Sequence, residues 1–127
     1  MRARLALGAI VLGAALLTGG TAAAHGSPVA STSTSAGAPY CGAMYAYAPT
    51  KSFTTVGART QASGCQGSPS LTMRLYRDGS QVSSYSWTGA NTITLSTGCA
   101  AGRHLYEVTL RNNSNGVEVA NRAWITC

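Results

Sequence analysis

The sequence predicts an all-β fold, a small antiparallel β-sandwich of about six or seven short strands. Three observations lead to this prediction. From Tyr40 onward, apolar and polar residues alternate with a period of two, dipeptides typical of tight turns separate the alternating stretches, and all four cysteines lie within this region. No segment places apolar residues three and four apart over two turns, so the pattern does not predict a helix.

The clearest hairpin turns at Asp78-Gly79, a dipeptide that strongly favours a two-residue hairpin loop. The strand before the turn alternates apolar with polar residues, and its apolar members are Leu71, Met73 and Leu75. The return strand, residues 81–88, places three side chains on one face, namely Ser83, Tyr85 and Trp87. We therefore predict two adjacent antiparallel strands, one of whose faces fills a core.

A second hairpin closes the chain around Asn115-Gly116, a favoured type I′ dipeptide. The alternation along its first strand places His104, Tyr106, Val108 and Leu110 on one predicted face. Its last strand predicts a shared face for Val117, Val119, Asn121, Ala123 and Ile125, with Trp124 on the opposite face. The remaining alternation predicts strands at residues 41–47 and 92–96, and a weaker strand at residues 51–60 that Gly57 interrupts.

The first 24 residues are predicted to be a signal peptide. Arg2 and Arg4 precede an apolar run over residues 5–17, and Ala22-Ala23-Ala24 forms a cleavage signature. A short membrane anchor is the alternative, but the run is shorter than the ~20 residues that a membrane span needs. We expect a secreted, extracellular protein without membrane contact, in which residues 25–39 form a flexible Ser/Thr/Ala/Gly tail and residues 40–127 form the β-domain.

The four cysteines, Cys41, Cys65, Cys99 and Cys127, form an even set in a chain that we expect to be exported. They offer no closely spaced ligand pair such as C-x₂-C, which favours two disulfides over a zinc site. Three pairings are possible, and we favour Cys41–Cys65 with Cys99–Cys127 because each bridge then encloses neighbouring strands. Each bridge would close a loop of about 25–30 residues and contribute roughly 3–4 kcal/mol to an otherwise marginal domain.

Charge and acid content argue against several functions. The chain has nine Lys and Arg against three Asp and Glu, a formal net charge of +6. The basic residues are spread along the sequence, which does not match the patch or stripe of a protein that binds nucleic acid. The acids Asp78, Glu107 and Glu118 are too few for a paired-carboxylate hydrolase or a calcium cage, and no phosphate-binding Gly-rich loop ends in Lys-Ser or Lys-Thr.

Two histidines are the remaining candidates for chemistry. If cleavage follows Ala24, His25 presents an α-amino group beside its imidazole, and together with His104 these groups would make a copper-binding set. Against this, His25 lies in the polar tail, and His104 alternates with apolar residues, as a half-buried strand histidine does. A serine triad would also need His104, and no G-x-S-x-G motif is present. We therefore expect no catalytic residue, no metal and no other cofactor.

With nucleic-acid binding, metal binding and catalysis all disfavoured, binding to another protein is the expected function. Four residues of the first hairpin belong to the types that anchor interfaces, namely Arg74, Tyr76, Tyr85 and Trp87. Tyr85 and Trp87 have an alternative role, because aromatic side chains more often fill a core. They are also suited to stacking on sugar rings.

An exported chain of this size with four cysteines resembles the tendamistat-type α-amylase inhibitors, and the interval from Cys99 to Cys127 fits that comparison. The resemblance implies a six-stranded sandwich with sequential disulfides that inhibits a secreted hydrolase, an α-amylase or a protease. Those inhibitors present a Trp-Arg-Tyr loop, whereas here Trp87 precedes Thr88 and Trp124 precedes Ile125. An Ig-like sandwich is the other form of the predicted fold.

The layout of an export signal, a flexible amino-terminal segment and a compact two-disulfide β-domain resembles the small adaptor subunit of the Streptomyces umbrella toxin particles. In those particles the adaptor joins a lectin-type subunit to the stalk of a large toxin chain. The resemblance implies a non-enzymatic adaptor whose tail, including Pro28 and Val29, inserts into a partner. An adaptor is therefore the expected function; a hydrolase inhibitor is the alternative, and a carbohydrate-binding module is the second alternative.

Overall fold

A computed structural model describes residues 27–32 and 37–127, so the predicted signal peptide and His25 lie outside the described residues. The described chain is all-β and forms two antiparallel sheets with nine strands, which confirms the predicted fold class. No helix in this part of the chain is long and apolar enough to cross a membrane. The strands are β1 (Val29–Ser31), β2 (Tyr40–Ala46), β3 (Thr50–Ser52), β4 (Thr55–Gln66), β5 (Ser70–Arg77), β6 (Ser80–Thr88), β7 (Asn91–Gly98), β8 (Arg103–Asn112) and β9 (Glu118–Thr126).

Sheet one is built around the long strand β4. Its partner β7 pairs along one edge, while β2 and β3 share the other edge, β2 with residues 60–66 and β3 with residues 55–57. The outer edge of β2 pairs with β1. Sheet one therefore runs from β1 at one side to β7 at the other.

Sheet two has the order β6-β5-β8-β9 and contains both predicted hairpins. The first turns at Asp78 and Gly79, whose φ angles of 49° and 83° match a type I′ turn. The second hairpin closes through residues 113–116, since the Asn112 amide donates to the Val117 carbonyl. Gly116 has a φ of 80° but Asn115 has no positive φ, so this loop is not the two-residue type I′ turn that Asn115-Gly116 predicts. In the first hairpin, Leu75 lies opposite Ser83 and Tyr76 opposite Gln81, so Val82 is an extra, bulged residue.

The core lies between the inner faces of the two sheets. The predicted apolar faces of β5 and β8 are confirmed, because their alternating apolar residues are fully buried. His104, at the start of the same face of β8, is only half-buried. Sheet two contributes fully buried Leu71, Met73, Leu75, Tyr106, Val108 and Leu110, and sheet one contributes buried Met44, Ala46, Val56, Ala58 and Ala62.

The predicted disulfide pairing is confirmed. Cys41 and Cys65 lie directly opposite each other on β2 and β4, with their Cα atoms 3.8 Å apart. The second bridge joins Cys99 at the end of β7 to Cys127 after β9, with a Cα separation of 5.8 Å. The two bridges therefore lie at opposite ends of the sandwich. Two disulfides in so small a domain are typical of proteins outside the reducing cytoplasm.

Two segments differ from the sequence prediction. Residues 51–60 do not form one weak strand interrupted at Gly57; the chain reverses at Phe53-Thr54, and β4 runs through Gly57 as far as Gln66. Part of the predicted flexible tail, Val29–Ser31, forms strand β1. The physical reason is that backbone pairing with β2 needs no side-chain pattern, and the buried Asn121 amide donates to the carbonyls of Ser27 and Ala46.

Removing either disulfide should lower stability strongly. We expect the double substitution Cys41→Ala with Cys65→Ala, or Cys99→Ala with Cys127→Ala, to lower the free energy of unfolding by roughly 3 kcal/mol, because each bridge restricts the unfolded chain. Urea unfolding followed by fluorescence measures this change. An unchanged urea midpoint in either variant would show that the bridge does not stabilise the fold.

Candidate functional site

The six predicted partner-binding residues lie in three separate places. Arg74 and Tyr76 point to the outer face of sheet two, since they alternate along β5 with the fully buried Met73 and Leu75. The other two residues of the hairpin, Tyr85 and Trp87, lie opposite the fully buried Met73 and Leu71 and therefore face inward. The tail residues are on the far side of the sandwich, where Pro28 is exposed and Val29 is 43% exposed.

The bulge at Val82 causes this division of the hairpin. A regular hairpin closed at Asp78-Gly79 would pair Tyr85 with Thr72, on the same outer face as Arg74 and Tyr76. The extra residue shifts the register by one, and a shift of one residue moves every later side chain to the other face. No sequence signal at Val82 indicates the bulge, so the sequence could not predict the separation of these residues.

Strands β6 and β7 form what we call the neutral edge. They are consecutive strands in contact with each other, and each is the last strand of its sheet in the described chain. Residues 79–102 contain no charged residue and no proline. Natural proteins usually protect edge strands with lysine, proline or a covering segment. The neutral edge carries none of these protective residues.

Strand β6 also has backbone N–H and C=O groups that point away from β5. The Gly89 amide donates to the Pro69 carbonyl of the neighbouring chain segment. Because inward and outward backbone groups alternate along an antiparallel strand, the N–H and C=O groups of Ser84 and Ser86 face away from β5. These groups are available to another strand.

An aromatic pair marks the neutral edge. The rings of Tyr85 and Trp87 are stacked with centroids 5.9 Å apart. Trp87 packs against the core, and its indole N–H donates to the Gly89 carbonyl at 3.0 Å. Tyr85 is 50% exposed. The alternative core role therefore applies to Trp87, which holds Tyr85 in place at the surface.

The chain's single phenylalanine, Phe53, is a candidate residue that the sequence analysis missed. It lies at the tip of the β3–β4 hairpin, its side chain is 94% exposed, and its φ angle is 52°. A bulky residue rarely adopts this conformation, which costs roughly 1–3 kcal/mol. No Gly or Asn marks this turn, so the turn has no local signal in the sequence.

A cavity of about 500 Å³ lies between β3 and β9, and we call it the cationic groove. Its charged residues are Lys51 and Arg103. The Arg103 guanidinium lies 4.8 Å above the ring centre of Trp124, which is 58% exposed. The other lining residues are Pro49, Thr50, Ala123 and Ile125.

His104 binds the first hairpin turn to β8. Its Nδ1 lies 2.5 Å from Asp78 Oδ2, its Nε2 lies 2.8 Å from the Ala101 carbonyl, and the Leu105 amide donates to Asp78 Oδ1. With an acceptor at each ring nitrogen, the imidazole is arranged to donate twice as a cation and has no free lone pair for a metal or for a serine proton. Among the described residues no group of three or more His, Cys, Asp or Glu side chains is placed to hold a metal ion.

The pKa values reflect this contact. The hydrogen bond with Asp78, and then that with the Ala101 carbonyl, raise the pKa of His104 above its ordinary value of 6.5. The hydrogen bond with His104, and then that from the Leu105 amide, lower the pKa of Asp78 below its ordinary value of 3.8. Both groups are therefore charged over the mildly acidic range.

No protein-family model, curated protein or solved structure matches the chain. The resemblances to amylase inhibitors and to toxin-particle adaptors therefore stay predictions. The structure offers three candidate binding surfaces, which are the neutral edge, the Phe53 tip and the cationic groove.

The contact between His104 and Asp78 predicts a maximum of stability at mildly acidic pH. The contribution of His104 is complete below pH 6.5 and is lost as the pH rises through its raised pKa, whereas that of Asp78 is complete above pH 3.8 and is lost as the pH falls through its lowered pKa. Urea unfolding across this range measures the effect. The variant His104→Gln should lose the decline above pH 6.5; an equal decline in that variant would assign it to other groups.

Relieving the strain at Phe53 should stabilise the fold. We expect Phe53→Gly to raise the free energy of unfolding by roughly 1 kcal/mol, because glycine adopts positive φ freely and Phe53 loses little burial. Thr54→Gly is the matched control: its φ is not positive, so glycine there should destabilise. Thermal unfolding compares the two variants, and a destabilised Phe53→Gly variant would contradict the assignment of strain.

Proposed function

We propose that this protein is an extracellular, non-enzymatic binding module that joins two other secreted proteins. The partners we propose are a lectin-type subunit and a large toxin chain, within an antibacterial particle. The observation that carries the proposal is the neutral edge, where two consecutive edge strands have outward backbone groups, no protecting charge and an exposed tyrosine.

The neutral edge suits the addition of a partner strand. In this mode of recognition, backbone hydrogen bonds supply affinity and side-chain contacts supply specificity. Tyr85 offers a rigid aromatic contact, because it is stacked on Trp87, which is itself held by the core and by the Gly89 carbonyl. Such anchors carry a large part of the binding energy in protein interfaces. The absence of charge lowers the cost of removing water from this surface.

An adaptor needs a second surface that stays accessible when the first is occupied. Strand β1, with Pro28 and Val29, lies at the opposite side of sheet one from β7. Three strand intervals separate these sides, a distance of about 14 Å at the usual spacing of ~4.8 Å. Partners at the two sides therefore have separate surfaces to contact, which supports an adaptor over a module with one site.

An inhibitor of a secreted hydrolase is the second candidate, and Phe53 favours it. A protruding hairpin tip with a strained, exposed aromatic residue is suited to entering an enzyme cleft. The two functions use different surfaces. Substitution of Phe53 should abolish inhibition, whereas substitution at the neutral edge should abolish the adaptor's contact.

Affinity capture from culture supernatant of the source organism tests the adaptor function. We expect the tagged protein to recover a large secreted chain together with a lectin-type protein, and Ser84→Pro to lose one of the two. Proline removes an outward N–H and leaves the pairing with β5 intact, so the fold should survive.

Ser84→Ala is the matched control, because it removes the same hydroxyl and keeps the N–H. It should recover both partners. Recovery of neither partner, together with tight inhibition of an added α-amylase or protease that Phe53→Ala abolishes, would replace the adaptor proposal with the inhibitor. Equal recovery by the proline and alanine variants would show that the neutral edge is not the binding surface.

A further inference from the structure

Two positively charged side chains, and no Asp or Glu side chain, line the cationic groove. Lys51 lies on β3, and Arg103 is the first residue of β8, opposite Thr126 of β9. The three acids of the chain lie elsewhere. They are Asp78, paired with His104, Glu118, which lies 3.9 Å from Arg111, and Glu107, opposite Arg122 on β9.

One wall of the groove is a free strand edge. Cys127 and Gly102 exchange both of their backbone hydrogen bonds, so the alternation along β9 turns the N–H and C=O groups of Thr126 and Trp124 outward. The contact from Lys51 Nζ to the Thr126 carbonyl, at 3.3 Å, agrees with this direction. An extended peptide in the groove would therefore meet backbone donors and acceptors along one side.

The groove also offers apolar contact and an oriented guanidinium. Trp124 is 58% exposed, and the Arg103 side chain lies over its ring. A guanidinium above an aromatic ring gains a cation–π contact and keeps N–H groups available to a carboxylate in a bidentate arrangement.

We propose that the cationic groove is a second binding site, which takes an extended acidic peptide segment of a partner protein. Carboxylates of the segment pair with Lys51 and Arg103, its backbone pairs with the free edge of β9, and an apolar side chain contacts Trp124. Charge complementarity selects this occupant, because no acidic side chain lines the groove and neither Lys51 nor Arg103 takes part in an ion pair among the described residues. The inference does not depend on the neutral edge.

Selection from a phage-displayed library of random peptides, followed by fluorescence anisotropy with the selected peptides, tests the proposal. We expect enrichment of sequences in which Asp or Glu alternates with apolar residues. The variant Lys51→Gln with Arg103→Gln should weaken binding of such a peptide by about tenfold or more. Binding should also weaken as salt concentration rises.

Arg111→Gln is the matched control, since it removes one positive charge from the same sheet at the far end of β8. It should change affinity less than about twofold, and Ser84→Pro should leave the affinity unchanged whether or not the neutral edge binds a partner. Failure to enrich acidic peptides, or an equal loss from Arg111→Gln, would overturn the proposal. A dimer of the unmodified protein that the groove variant dissolves would assign the groove to a second copy of this chain and would also overturn it.

Discussion

Apolar contact between the inner faces of the two sheets is the interaction on which the rest of the structure depends. Fully buried Leu71, Met73 and Leu75 in β5 pack toward the opposite sheet, where Met44 and Ala58 are also buried. This contact fixes the register of each strand, because a shift of one residue would expose the whole apolar set. Register then determines which side chains reach the surface together. In a domain this small, the core alone gives marginal stability, so the two disulfides at opposite ends complete it.

An open sandwich necessarily ends in edge strands. In this protein the two sides of the sandwich differ in how far their edge strands are covered or charged. On one side, β1 covers part of β2, and Lys51 reaches the last carbonyl of β9. On the other side, β6 and β7 have neither a covering strand nor a charged residue among the described residues. Unprotected edges favour association with another chain. The two sides of the fold therefore present different surfaces, an uncharged and uncovered edge at β6 and β7 and the cationic groove beside β9.

Much of the fold follows from the sequence, because alternation and turn chemistry are local signals. The Asp78-Gly79 turn and the core face of β5 were predictable in this way, and the cysteine pairing followed from the neighbouring strands that each bridge encloses. The second hairpin was predicted too, but its loop has four residues instead of two. The candidate binding surfaces were less predictable from the sequence, because they depend on a bulge, a strained turn and a backbone pairing that have no local sequence signal. Val82 bulges without a marker residue and moves Tyr85 and Trp87 to the inner face, away from Arg74 and Tyr76. Phe53 occupies a turn position that usually carries glycine, and the pairing of β1 arises from backbone contacts in a segment of low complexity.

Amide hydrogen exchange of the protein bound to its captured large partner tests most directly whether the neutral edge binds by strand addition. We expect the outward amides of β6, among them those of Ser84 and Ser86, to exchange more slowly in the complex, since a partner strand would accept their hydrogen bonds. The inward amides, already paired with β5, should change little. Unchanged exchange along both β6 and β7, with protection confined to another part of the sandwich, would contradict the central claim.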